Sequence, residues 1–204
     1  MAVKLTKNEL KTQKDKLKQF ERFLPTLVLK KQQLQSVIRQ IYQRQQETRE
    51  EQKRMIGNLD EWIAVFSENR HNGVKDICDL VQPEKVDCGE ENIAGVTIPV
   101  FRELLFKPLD YDLREYPLWT DTAVYKLREI CRLDALVRTY DRQVELLDSE
   151  LRTTTQRVNL FEKVKIPEAK ENIKRIQIYL GDQQTSGVVR GKIAKKKLSE
   201  GGAA

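Results

Sequence analysis

The fold is decided by a stretch near the carboxyl end, "RVNLFEKVKIPEAKENIKRIQIYL", which runs from Arg157 to Leu180. Its apolar residues recur every three or four positions, which is the spacing of an amphipathic helix. Pro167 lies in the middle, although a proline in a helix interior removes a hydrogen bond and costs about 3 kcal/mol. The apolar pattern slips by one residue at the same place, beyond Phe161. The stretch therefore predicts a long helix with a kink at Pro167.

This stretch ends a longer apolar seam that begins beyond the middle of the chain. Its core positions are Ala123, Ile130, Leu133, Val137, Tyr140, Val144, Leu147, Leu151, Thr154, Val158 and Phe161, followed by Ile166, Ala169, Ile173, Ile176 and Leu180. Gly181 comes directly after the last apolar turn, a place where glycine favours a helix end. We therefore expect a carboxyl-terminal helix over 119–182 and a basic, flexible tail over 183–204.

A matching seam can be followed from the amino terminus. Its core positions are Leu10, Leu17, Phe20, Leu24, Leu27, Lys31, Leu34, Ile38, Ile41, Gln45, Thr48, Gln52, Met55, Leu59, Trp62 and Phe66. The spacing alternates between three and four residues except around Gln13. The seam is polar at Lys31 and from Gln45 to Gln52, and polar core positions can fix the register of a coiled coil. This pattern predicts an amino-terminal helix over 1–70.

The two seams are nearly equal in length and are separated by a short middle segment. The simplest packing is an antiparallel pair, each helix about 100 Å long at 1.5 Å per residue. Such pairing places Pro25 close to Pro167, so both helices would bend at the same height. The predicted fold class is mainly α, a long antiparallel two-helix coiled coil with a short central module.

The central module, 71–118, contains four of the six prolines in the chain. The stretch "IAGVTIPVFRELLF" places β-branched residues beside a glycine and a proline, namely Gly95, Val96, Ile98 and Pro99. This composition predicts a β-hairpin. A module of this length is too short for a core of its own. We expect Trp62 and Trp119 to pack it onto the helix ends.

Composition and charge limit the function classes. Aromatic residues make up 7% and charged residues 33% of the chain, which is typical of long helices. No apolar run reaches the length of a membrane span, and the start lacks the apolar run of a secretory signal. Both ends are basic, with nine basic and three acidic residues over 1–31 and five and one over 185–204. The three cysteines, an odd number, suit a reducing compartment.

The sequence offers little chemistry. It contains no phosphate-binding loop, dinucleotide fingerprint or zinc-protease motif. Three candidates for a catalytic or metal site are His71, the acidic cluster Asp110, Asp112 and Glu115, and the pair Cys78 and Cys88. The histidine is isolated, and the two clusters have too few ligands to form such a site. We therefore expect no catalytic residue, no cofactor and no metal.

The basic tail leaves two other functions open. Clustered lysines in "RGKIAKKKLSEGGAA" are compatible with a nucleic-acid-binding adaptor, although the tail has no aromatic residue to stack on a base. Two helices joined by a hairpin are also compatible with a coiled-coil holdase.

The carboxyl-terminal stretch resembles the signature of the D subunits of V/A-type (vacuolar/archaeal-type) rotary ATPases. The matching residues are Arg157, Val158, Asn159, Glu162, Ile166, Pro167, Ile173, Ile176 and Leu180. "GVTIP", from Gly95 to Pro99, is similar to the central hairpin of that family, and "LKKQQL" to its first helix. The resemblance covers nearly the whole chain in the order of the family. The segment 76–92 and the glycine-alanine end depart from it.

The resemblance implies a non-catalytic central stalk component, the rotor shaft, that transmits torque between ATP hydrolysis or synthesis and proton or sodium transport. The implied partners are the A and B subunits of the catalytic ring, the small F subunit of the rotor and a socket subunit above the membrane ring. The resemblance also implies that the chain lies on the cytoplasmic face of a membrane without inserting into it, and that it does not bind nucleic acid. Kinks at Pro25 and Pro167 would make the shaft asymmetric.

Two surfaces follow as expectations. Basic residues at the chain ends would contact the catalytic ring, and they are Lys4, Lys7, Lys11, Lys195, Lys196 and Lys197. Exposed residues that flank the seam near Gln45 to Gln52, with Tyr140 to Leu147 opposite, would bind the small rotor component.

Overall fold

A computed structural model describes residues 3–60, 80–109, 111–112 and 116–201. The elements in chain order are helix α1 (Lys7–Asp60), strands β1 (Pro83–Ile93) and β2 (Val96–Phe106), helix α2 (Thr120–Leu160), a π-helical turn (Phe161–Lys165) and helix α3 (Ile166–Gly201). This order confirms the predicted fold class, with helical arms before and after a short antiparallel hairpin. Trp62 and Phe66, predicted for the end of the first seam, lie outside the described residues.

The contacts divide the chain into two compact units. The terminal unit consists of 1–31 and 153–204, and the hairpin unit consists of 32–152. Every described core position predicted for the two seams is buried or half-buried. The heptad pattern therefore predicted the buried face of each helix correctly.

Helix α1 begins with a capping residue and continues through a proline. The Thr6 side-chain oxygen accepts the backbone N–H of Glu9 at 3.2 Å, which satisfies one of the unpaired donors of the first turn. Pro25 lies inside α1, and the helix runs without interruption from Lys7 to Asp60. The proline therefore does not end the helix.

In the hairpin unit, α1 packs against α2 in the antiparallel sense. Leu34 and Leu147 are fully buried, and Ile38, Ile41 and Val144 complete the same cluster. Further along α1, the side chains of Gln45 and Arg49 reach Asp141 of α2. Removing this apolar surface from water contributes about 25 cal/mol per Å².

In the terminal unit, α1 packs against the end of α2 and α3. The rings of Phe20 and Phe161 lie 5.2 Å apart between centroids. The ammonium of Lys170 lies 3.4 Å from a carboxylate oxygen of Glu21. Val158 and Ile176 are almost fully buried, so the seam continues on both sides of the π-helical turn.

The π-helical turn explains the slip in the apolar pattern. The backbone N–H of Ile166 donates to the carbonyl of Phe161, five residues earlier. A turn of this kind takes in one extra residue, and Phe161 and Ile166 are the two seam residues separated by five positions. Pro167 follows at once, and it has no N–H to donate to the preceding turn. The predicted change of phase is therefore present as a π-turn, while the kink itself stays a prediction.

The predicted helix end at Gly181 is wrong. Helix α3 continues to Gly201, and the segment predicted as a flexible tail begins as helix. Gly181 keeps a negative φ, unlike a left-handed helix-ending glycine. The hydroxyl of Thr185 donates to its carbonyl at 3.1 Å. A glycine in a helix interior costs only about 1 kcal/mol relative to alanine, which the surrounding turns tolerate.

Candidate interaction surfaces

The hairpin turn depends on two residues with positive φ. Ala94 has a φ of 52° and Gly95 a φ of 83°, and a two-residue hairpin loop of the common type requires this at both central positions. The side-chain oxygen of Asn92 accepts the backbone N–H of Gly95 at 3.0 Å. The predicted "GVTIP" segment thus provides the turn and the first residues of β2.

The hairpin is attached to the helices through apolar residues near its turn and through one side-chain amide. Ile98 is 2% exposed and belongs to the core cluster of α1 and α2, beside the half-buried Val96. The side-chain amide of Gln143 donates to the carbonyl of Pro99. A proline cannot donate to a sheet, but its carbonyl is free to accept this bond. Three of the predicted hairpin residues therefore position the module on the helices.

At the end away from the turn, the hairpin is attached to α2 by Arg128, which the sequence did not predict. The guanidinium of Arg128 lies 4.9 Å from the ring centroid of Phe106 and donates to the Lys107 carbonyl at 3.0 Å. Trp119 packs with Leu80 and Val81 against the start of α2, as predicted for Trp119. Its predicted counterpart, Trp62, lies outside the described residues.

A polar layer interrupts the apolar seam of the hairpin unit. Gln45 is 6% exposed, and its side-chain amide donates to Asp141. The guanidinium of Arg49 lies 3.4 Å from both oxygens of the same carboxylate. The polar seam at Gln45 was visible in the sequence, but its partner was not, because Asp141 lies outside the predicted core positions. One carboxylate that accepts hydrogen bonds from both Gln45 and Arg49 fixes which residues lie opposite each other.

The signature residues of the carboxyl-terminal stretch fall into two groups. The buried and half-buried ones form the seam of the terminal unit, and they are Val158, Ile166, Ile173, Ile176 and Leu180. The exposed ones are Arg157, Asn159, Glu162 and Pro167. The exposed group lies on both sides of and within the π-helical turn, so this turn is the most distinctive local feature of the stretch.

Residues 9–196 match the protein family described as the D subunit of ATP synthase. The chain belongs to this family. The match includes the signature stretch, the hairpin and nearly all of α1 and α3, so it covers the features described above as one continuous alignment.

Individual relatives agree with the family match. The D subunit of the V-type ATP synthase of Borreliella burgdorferi is 46% identical over 196 residues, which cover 96% of this chain and 95% of that protein. The protein of the same name from Chlamydia pneumoniae is 32% identical over 96% of this chain and 93% of its own length. That from Chlamydia caviae is 33% identical over 97% and 94%. This chain is thus a component of a rotary ATPase of the V type, as the resemblance predicted.

The six lysines predicted to contact the catalytic ring are exposed. They are Lys4, Lys7 and Lys11 near the start of α1 and Lys195, Lys196 and Lys197 near the end of α3. Each residue from Gly181 to Leu198 is exposed as well. Apolar side chains occur among them, with Val188 60% and Ile193 52% exposed. This last part of α3 therefore presents both positive charge and apolar surface to solvent.

The groups considered for chemistry do not form a site in the described part of the chain. His71, Cys78, Asp110 and Glu115 lie outside the described residues, and Asp112 and Cys88 are described. Within the described residues, no three His, Cys, Asp or Glu side chains are grouped as a metal site would require. Also within that part of the chain, no helix is long and apolar enough to cross a membrane.

One tyrosine just before α2, Tyr111, has a raised pKa. The hydroxyl of Tyr111 donates to the carboxylate of Asp121, and its ring packs edge-on against Tyr116 at 5.1 Å. The hydrogen bond to Asp121, with smaller effects from burial and from the negative charge of that carboxylate, raises the pKa of Tyr111 to about 12. The contact ties the segment before α2 to its first turn.

Proposed function

We propose that this chain is the central rotor shaft of a V/A-type ATPase, which transmits torque between ATP turnover in a catalytic ring and proton or sodium transport. It would have no active site of its own. The observation that supports this best is the pairing of α1 with a returning helix within each of the two units. A shaft must resist sliding and twisting of one helix against the other, and a buried seam with a polar layer does so.

The distribution of prolines supports an asymmetric shaft. Pro25 lies inside α1, where it has no N–H to donate to the preceding turn, and Pro167 follows the π-helical turn at the start of α3. Both features are common causes of helix bending. A bent shaft would press differently on each of the catalytic sites around it, which a straight symmetric rod could not do.

The partners follow from the surfaces. The exposed end of α3, with its lysines and with Val188 and Ile193, would enter the ring of A and B subunits. The small F subunit of the rotor would bind along the helix pair, and a socket subunit would join the shaft to the membrane ring. The shaft and these partner subunits would lie on the cytoplasmic face of the membrane. Family membership favours this assembly over a holdase or a nucleic-acid adaptor.

Observation of rotation tests the proposal directly. Cys78, Cys88 and Cys131 are replaced by serine, and a single cysteine is introduced for the exposed Thr97 near the hairpin tip to carry a bead. With the catalytic ring immobilised, ATP should turn the bead in steps. Continued ATP hydrolysis with a stationary bead, in complexes shown to contain this chain, would contradict the role as rotor.

The helix pairing has its own test. In a chain whose native cysteines are replaced by serine, Glu21→Cys and Lys170→Cys should be joined within one molecule by a flexible bis-maleimide. A spacer is needed because the native side chains that meet at 3.4 Å are longer than cysteine. The crosslinked complex should still rotate, since both helices would turn together. A crosslinked shaft that assembles normally but stops ATP-driven rotation would mean that the two helices must move against each other.

The basic ends are tested by charge removal. Replacing the six lysines (Lys4, Lys7, Lys11, Lys195, Lys196 and Lys197) with glutamine should slow rotation or reduce ion pumping per ATP. The control replaces three exposed lysines outside both basic ends, which are Lys53, Lys85 and Lys107. Pumping that is unchanged in the six-fold variant would refute a role of these charges in ring contact.

A further inference from the structure

A groove of about 660 Å³ lies between the hairpin and α2, within the hairpin unit. One wall is formed by the two strands and the other by one face of α2, and Gln52 of α1 also lines the groove. Its apolar lining includes Val86, Cys88, Leu104, Ile130, Cys131 and Ala135. Val86 is 43% exposed, so the groove opens directly to solvent and presents an accessible apolar surface.

The dimensions of the groove fit the side chains of a helix. On α2 the lining extends from Ile130 to Arg142, which is about 18 Å at 1.5 Å per residue. A second helix lying along this wall would place apolar side chains three or four positions apart into the groove. A cavity of this volume accepts several aliphatic side chains while the helix backbone stays outside.

Addition of a strand to the hairpin is a poorer fit. Strand β1 begins with Pro83, and the charged residues Glu84 and Lys85 follow. The pairing of β1 with β2 is irregular between Pro83 and Lys85 and again between Asp87 and Cys88. Proline, charge and irregular pairing are features that protect a strand edge against a further strand.

The lining of the groove carries two positive charges and one negative charge, from Arg138, Arg142 and Asp134. Arg138 and Arg142 line it one helical turn apart, and their side chains are 80% and 62% exposed. Each pairs with a carboxylate of its own helix, Asp134 or Glu145. Exposed pairs of this kind contribute little to stability, so the two guanidinium groups are available to carboxylates of a partner.

We propose that the groove is the docking site for an amphipathic helix of another subunit of the same complex. The apolar face of that helix would carry aliphatic anchors, and its flank would carry carboxylates one turn apart facing Arg138 and Arg142. The inference rests on the proposed function only in taking the partner from the same complex. It adds the surface and the chemistry of the partner.

The rate at which the thiol of Cys88 is modified reports whether the groove is occupied. Cys78 is replaced by serine, and modification of Cys88 by N-ethylmaleimide is timed in the isolated chain and in the complex assembled with the other ATPase subunits. Cys88 is exposed and should react readily in the isolated chain. With the partner at about a hundred times its Kd, the reaction should be about a hundredfold slower. A Thr97→Cys, Cys88→Ser variant serves as the control, because Thr97 is exposed on the same hairpin outside the groove.

Charge reversal tests the rim. Arg138→Glu with Arg142→Glu should weaken retention of the docked subunit about tenfold or more. Arg132→Glu is the matched control, since Arg132 is an exposed arginine of the same helix, paired with Glu129, and does not line the groove. Thermal unfolding of each isolated variant verifies the fold. Equal loss of the subunit from the double variant and the control would overturn the proposal.

The other outcomes separate the groove from the rotor function. A complete, rotating complex in which Cys88 stays as reactive as in the isolated chain would overturn the groove proposal and leave the rotor function intact. Failure of the wild-type chain to assemble with the other subunits would overturn both. Protection that appears in the isolated chain as its concentration and dimer fraction rise would assign the groove to a second copy and overturn the proposal.

Discussion

The hairpin unit and the terminal unit share one seam pattern but bury it to different extents. In the hairpin unit, Leu34 and Leu147 are fully buried, and Ile98 of the hairpin adds a third element to their core. In the terminal unit, Ile176 is equally buried, but the seam residues of α1 from Leu10 to Lys31 are all only half-buried. The comparison teaches that the heptad pattern selects the buried face, while the number of packed elements decides how much is buried.

If this comparison is right, the largest loss of stability should follow from a cavity in the core of the hairpin unit. Leu147→Ala should lower the free energy of unfolding by about 2–5 kcal/mol, because Leu147 has no exposed surface and the space cannot fully close. Urea unfolding measures the change. Val189→Ala, at an exposed position of α3, is the control and should stay within about 0.5 kcal/mol. Similar values for both variants would break the comparison.

Replacing each of the two prolines with alanine compares a regular helix, at Pro25, with a π-turn, at Pro167. Pro25→Ala should raise the free energy of unfolding by up to about 3 kcal/mol, because α1 is a regular helix that regains a hydrogen bond. Pro167→Ala should raise the free energy of unfolding by less than Pro25→Ala. The π-turn is held by the five-residue spacing of Phe161 and Ile166, and closing it would rotate the buried Ala169 and Ile176 out of the seam.

Chemical denaturation gives the stability part of the proline test, and a crystal structure of Pro167→Ala gives the rest. We expect the backbone N–H of Ile166 still to donate to Phe161 in that variant. A regular α-helix through 161–166 would show that the proline, and not the apolar pattern, imposes the π-turn.

A smaller effect is expected from the polar layer of the hairpin unit. Gln45→Ala should cost about 1 kcal/mol, because a nearly buried hydrogen bond to Asp141 is lost while Arg49 remains. Gln43→Ala removes an exposed bond to Glu47 within α1 and should cost about 0.3 kcal/mol. Thermal unfolding of the two variants compares a contact between helices with one inside a helix, and equal losses would deny the layer a special role.

The smallest effect concerns pH. The pKa of Tyr111 is raised to about 12 in the folded chain, above the usual value of about 10 for an unfolded tyrosine. The stabilisation from its bond to Asp121 should therefore be complete below about pH 10 and be lost as the pH rises from there to about 12. Absorbance at alkaline pH should show one of the six tyrosines titrating late. Asp121→Asn should lower the pKa of Tyr111 towards the usual tyrosine value of about 10.

Much of the fold could be predicted from the sequence because the signals are local and repeated. The seam residues from Leu10 to Leu59 and from Ala123 to Leu180 are buried or half-buried as predicted. The hairpin was predicted from Gly95 and Pro99 for the same reason. The end of α3 was mispredicted at Gly181, because the cost of one glycine is small beside the cooperativity of a long helix.

The candidate surfaces could be predicted less well, because they depend on residues distant in the chain. The lysines of the basic ends were visible as charge clusters. The groove brings Cys88 of β1 beside residues of α2 such as Ala135, and no periodicity connects these positions. The partner of Gln45 was equally hidden, since Asp141 lies on the flank of its helix.

The sequence by itself determined which face of each helix is buried, where the seam changes phase and where the hairpin turns. These features follow from side-chain spacing and from the backbone preferences of glycine and proline, which act over a few residues. Only the tertiary structure decided that the phase change is a π-turn, that Asp141 receives Gln45 and Arg49, and that a groove opens beside the hairpin. The π-turn is local, but a slip in the apolar pattern does not specify which backbone geometry takes up the extra residue. The other two depend on how separate elements pack, and a contact such as that of Gln45 with Asp141, about 100 residues apart, leaves no local signal.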